Sequence, residues 1–145
     1  MSQPAFAAKL QPAPDIEETS DRAVSFLRLL MRKCRAKARV EVFETCRLLL
    51  TDPRDSAQDY ADALLGILSQ ALPNGPVIHH IHAPERSFDE NWLLALFAAL
   101  SRNDHASATF LLRARMPLQL RRPVGWLASE LVLRMETEAE QSTRS

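Results

Sequence analysis

The chain has 145 residues, enough for one domain whose core sustains folding without disulfides or a structural metal. Hydrophobic residues make up 46% and glycines number only three, with Leu and Ala frequent and β-branched residues sparse, which favours helices over a sandwich or a parallel sheet. Lys and Arg number 18 and so do Asp and Glu, so no global field draws the chain to nucleic acid or an anionic membrane, and any electrostatic function rests on local patches.

The expected fold is all-α, a single-domain bundle of about five helices with a long N-terminal helix or helical hairpin. Residues 1–18 mix proline, glutamine and acids without periodicity and are expected to be a flexible arm. The helical domain then covers 19–136, and 137–145 forms a second flexible tail. Lys9 and the prolines near the start interrupt any signal-peptide core, and no apolar run approaches the roughly 20 residues that span a bilayer. A cytoplasmic protein without a membrane partner is the expectation. Cys34 and Cys46, if on one helix, lie about 18 Å apart along its axis, beyond disulfide reach. They read as reduced, mostly buried residues.

The first helix opens at "TSDR", with Thr19 or Ser20 as cap, and its pattern continues to Leu50. Its apolar stripe is Ala23, Leu27, Leu30, Met31, Cys34 and Ala38. A helix of ~30 residues measures about 45 Å, against a domain diameter of roughly 35 Å, so it either breaks near 40–43 or projects. The second helix takes Asp52 as cap and Pro53 as its first residue, with Ala57, Tyr60, Ala61, Leu64, Leu65, Leu68 and Leu72 on one face. The short connection makes these two helices an antiparallel hairpin.

The segment "VIHHIHAPE" follows, with His79, His80 and His82 beside Glu85. Its spacing is not HExxH or another specific zinc pattern, and neither an extended chain nor a helical turn brings all three imidazoles onto one ion. These histidines are candidate metal ligands only if a tight loop gathers them; the plainer expectation is a connecting segment with Val77, Ile78 and Ile81 packed on the bundle. As the one strand-like run, "VIHHI" also has an edge that could pair with a twin or a partner.

Ser87 and Glu90 have the spacing of a capping box that opens the third helix. Its body, "NWLLALFAAL", is apolar nearly all round and marks the centre of the bundle. Asp104 caps the fourth helix, which stops before Pro117, and Pro123 begins the fifth, with Val124, Leu127, Leu131 and Met135 inward.

Two arginine clusters carry the charge features. Arg28, Arg32, Arg35 and Arg39 recur at intervals of 4, 3 and 4, which places them on one face of the first helix, with Lys33 and Lys37 alongside. Asp55, Asp59 and Asp62 match that stripe only in part. Arg113, Arg115, Arg121 and Arg122 surround the junction of the fourth and fifth helices, where a phosphate or carboxylate could be received.

Catalytic signatures are missing from the sequence. Isolated glycines exclude a P-loop or a dinucleotide fingerprint, no GxSxG elbow is present, and neither cysteine sits in a nucleophile context. Asp89 and Glu90 invite an acid/base reading, but adjacent helical residues do not face each other. The sequence therefore points to a non-enzymatic, cofactor-free interaction or regulatory module. The expected partner is a protein with an acidic surface, held by the Arg28, Arg32, Arg35, Arg39 face with Lys33 and Lys37. Homodimerisation through the hairpin is a companion reading. The alternatives are a nucleic-acid-associated regulator using both arginine clusters, and a metal-binding protein using His79, His80 and His82.

Overall fold

A computed structural model describes residues 14–33, Cys46 and residues 56–144, and within these the chain forms five helices and no strand. They are α1 (Pro14–Lys33), α2 (Ala57–Ala71), α3 (Phe88–Ser101), α4 (His105–Arg115) and α5 (Leu118–Arg144). None is long and apolar enough to cross a membrane. The all-α expectation holds, and α1, α2, α3 and α5 surround one apolar core.

Most helix starts follow local chemistry. The helix α1 begins at Pro14, five residues before the Thr19 cap read from sequence. Proline's fixed φ suits a first helical position, and the acids at 15, 17 and 18 fall where the helix dipole favours them. The boundary at residue 18 thus lies inside a helix, as does the one at 136, because α5 runs on to Arg144. The helix α2 starts at Ala57 behind Ser56, whose amide donates to Asp59 Oδ2 at 2.7 Å. This cap displaces the expected start at Pro53; Asp52 and Pro53 themselves, like the expected break at 40–43, lie outside the described residues.

For α5 the expected start at Pro123 is five residues late. The helix begins at Leu118, immediately after Pro117, and Pro123 sits within it. The amide of Leu120 donates to Pro117 O at 3.0 Å, and the guanidinium of Arg121 donates through Nε to Met116 O, also at 3.0 Å, so the turn is tied down before Pro123 is reached.

Packing follows the apolar stripes. Leu27, Leu64, Leu68, Leu127 and Leu131 are fully buried, and Val24, Leu30 and Met31 complete the inner face of α1. Gln58 Nε2 donates to Leu30 O at 2.9 Å and so places the end of α1 beside the start of α2, whereas a hairpin turning at residues 51 and 52 would set Leu30 near the far end of α2; the turn itself lies outside the described residues. Cys46 is half-buried against this core, and burial pushes its thiol pKa up. Gly125 lets α5 approach α4 closely, since a Cβ there would meet Leu112 Cδ1 at 3.2 Å.

The helix α3 packs on α1, α4 and α5 through Trp92, Leu93, Leu96, Phe97 and Ala99. It is not enclosed on all sides. Phe88, Asn91, Ala95, Ala98 and Arg102 recur at helical spacing and all are exposed.

Candidate functional site

Arg28 is only 4% exposed, and its position corrects the expectation that it lies on an open basic face. It points inward from α1 to Glu90, which is fully buried at the start of α3. Nε donates to Glu90 Oε2 at 2.6 Å and Nη2 to Oε1 at 3.1 Å, a bidentate pair. Nη2 also reaches Glu85 O at 3.0 Å, while Nη1 donates to Ala83 O at 3.0 Å and Ile81 O at 3.4 Å. A guanidinium has five N–H donors, so every one is used. Glu90 is equally committed: Oε1 accepts from Ser87 N at 2.9 Å and Oε2 from His79 N at 3.3 Å.

These contacts explain the histidine-rich segment. Its backbone carbonyls wrap the Arg28 guanidinium, and the amides of Val77 and His79 are taken by the Asp89 and Glu90 carboxylates. Ser87 Oγ donates to Val77 O. The expected free strand edge is therefore partly occupied by α3's own first turn. His79 is half-buried and His80 and His82 are exposed; among the described residues no three His, Cys, Asp or Glu side chains converge on a point where an ion could sit.

Electrostatics reinforce the arrangement. Burial alone would raise the Glu90 pKa, but the hydrogen bonds and charge of Arg28, with the Ser87 and His79 amides, hold it below the ordinary carboxylate range. The hydrogen bond from Arg28 to Glu90 likewise raises the Arg28 pKa, although desolvation opposes it. Both stay charged at neutral pH.

The remaining members of the α1 stripe separate. Arg32 is exposed, Lys33 ends the helix, and Arg35, Lys37 and Arg39 lie outside the described residues. Of the expected acidic stripe, Asp59 bonds Ser56 and Asp62 accepts from Gln58. Neither pairs with Arg28.

The second cluster also divides. Arg115 folds over α3, with Nη1 on Asp89 Oδ1 and its guanidinium carbon 4.9 Å from the Phe88 ring centroid and 5.4 Å from that of Trp92. Arg121 bonds the Met116 carbonyl, whereas Arg113 and Arg122 remain exposed. Asp89 and Glu90, the pair with an acid/base reading, are thus each joined to a different arginine.

A surface that periodicity did not single out lies along α3 and α4. Trp92 Nε1 donates to Leu111 O at 3.0 Å and fixes the two helices side by side. Between them runs a shallow groove of about 530 Å³, lined by Ala95, Ala98, Arg102, Ala106, Ser107, Phe110 and Leu111. Phe110 is 72% exposed beside it, and Phe88, also 72% exposed, stands at the far end of the same α3 stripe. Such large rings standing in water are costly unless something covers them. Their signal in the sequence was the apolar content of α3, which exceeds what one buried face needs.

Neither a protein-family model, nor a curated protein, nor a solved structure matches this chain.

Proposed function

We propose that this protein is a non-enzymatic protein-binding module whose contact surface is the open face of α3 and α4. The observation that carries this reading is the pair of exposed rings, Phe88 and Phe110, on one face with the exposed alanines 95, 98 and 106. Interface hot spots favour large aromatic anchors beside close-packed small residues, and arginine at the rim. Arg102 and Arg113 supply that rim.

The geometry lends less to the other readings. Arg28, Arg115 and Arg121 donate to groups of the chain itself and are withdrawn from a phosphate backbone, so a nucleic-acid contact would have fewer cations at its disposal. The paired and largely buried carboxylates offer no free acid or base, and the imidazoles do not converge. Arg32 remains available on α1 as an auxiliary contact for an acidic partner.

The test places p-benzoylphenylalanine at position 110 and, separately, at position 133, where Leu133 is 56% exposed on α5. Irradiation in native lysate is expected to give a discrete protein adduct at 110 and none at 133. The identified partner, once purified, binds the wild type and loses at least about tenfold in affinity, or ~1.4 kcal/mol, against Ala98→Glu. No adduct at 110, or equal binding by Ala98→Glu, refutes the assignment.

A further inference from the structure

Resting on that reading, we infer that the occupant of the α3/α4 face is an acidic amphipathic helix of another protein. Three features select it. The exposed α3 stripe from Phe88 to Arg102 is about 21 Å long at 1.5 Å per residue, the length of a helical segment of about 14 residues. Its floor, Ala95 and Ala98 on α3 with Ala106 on α4, lets a helix backbone approach closely, while Phe110 beside it and Phe88 at its end supply aromatic anchors. A strand would leave its own backbone unpaired against helices whose amides are already bonded.

Charge decides between a foreign helix and a second copy. The only acids in α3, Asp89 and Glu90, are buried and paired, and α4 contains none. Asp104, in the connection, caps Ser107 and pairs with Arg102 at 3.3 Å. The part-exposed Asp104 offsets Arg102, and Arg113, one turn from Phe110 on α4 and exposed, leaves the face with a net positive charge. A twofold contact would set this cationic face against itself, whereas glutamates flanking an apolar stripe would complement it.

Two labelled helical peptides of about 18 residues provide the probe. Both carry leucines at i, i+3, i+7 and i+10; one has glutamates on the flanks and the other lysines. In fluorescence-anisotropy titrations with the full chain, the glutamate peptide is expected to bind at least about tenfold more tightly than the lysine peptide. The preference narrows as salt rises from ~50 to ~300 mM. Phe110→Asp, with unchanged circular dichroism, weakens the glutamate peptide about tenfold; Phe110→Ala, which adds no charge, also weakens it and guards against a purely repulsive effect.

Equal binding of the two peptides, preference for lysine, or indifference to both Phe110 variants overturns the inference. So does concentration-dependent self-association that Phe110→Asp abolishes, which would give the face to a second copy. A crosslinked partner at position 110 together with failure of the glutamate peptide rejects this partner chemistry while leaving the binding surface standing. Failure of both rejects both.

Discussion

Arg28→Met is expected to lower the unfolding free energy by about 3–5 kcal/mol, the usual cost of leaving one member of a buried ion pair without the other. The stranded groups are specific: the Glu90 carboxylate and the carbonyls of Ile81, Ala83 and Glu85. In many proteins a buried pair is replaced by two apolar residues without loss. Here Arg28→Met/Glu90→Leu recovers less than half of the deficit, because Glu90 also serves the Ser87 and His79 amides and Arg28 the three carbonyls. Urea unfolding followed by circular dichroism measures both values, and full recovery by the double variant would show that the segment 77–86 does not depend on Arg28.

The same pair sets a pH dependence of defined sign. The native Glu90 pKa is depressed, so its stabilising contribution is fully present above the unfolded value, about 4.3, and is lost as pH falls through the native value. The stability gap between wild type and Glu90→Gln therefore stays wide at neutral pH and closes with acidification below about pH 4.

Trp92→Ala is the second large effect, with an expected loss of about 3–5 kcal/mol. Trp92 is 6% exposed, and its removal opens a cavity under α4 and leaves Leu111 O without the indole donor. Trp92→Phe keeps most of the apolar volume but not the hydrogen bond, so its loss is smaller, about 1–2 kcal/mol. Because this side chain joins α3 to α4, the alanine variant is also expected to loosen the groove and weaken binding at the face, while Leu127→Ala, on α5 and outside the groove's lining, is expected to destabilise the core with a smaller effect on binding. Thermal unfolding together with the peptide titration separates these effects.

Local chemistry was legible in the sequence. Ser87 with Glu90 and Asp104 with Ser107 are caps that each need only a few neighbouring residues, and both occur. The 3,4 stripe of α2 is buried almost as spaced, from Ala57 to Leu72. The partner of Arg28 was not legible, because Glu90 lies 62 residues away and the cap already accounted for it. A carboxylate with four acceptor sites can serve two roles at once, and only the fold shows which donors arrive. Regular spacing of the arginines carries no information on what packs against each of them, and so grouped buried Arg28 with exposed Arg32. Pro123 misled because Pro117, six residues earlier, marks the start of α5.

The α3 helix was the instructive case. Apolar residues on all sides were consistent with a helix enclosed by the bundle and equally with one that leaves an apolar face in solvent. Only placing Phe88, Ala95 and Ala98 in solvent distinguishes the two.

Backbone amide shifts of the isotopically labelled chain during titration with the glutamate peptide test the account most directly. The predicted result is a set of saturable shifts concentrated at Ala95, Ala98, Ala106 and Phe110. Shifts concentrated between Arg22 and Arg32 on α1, with α3 and α4 unmoved, would contradict it.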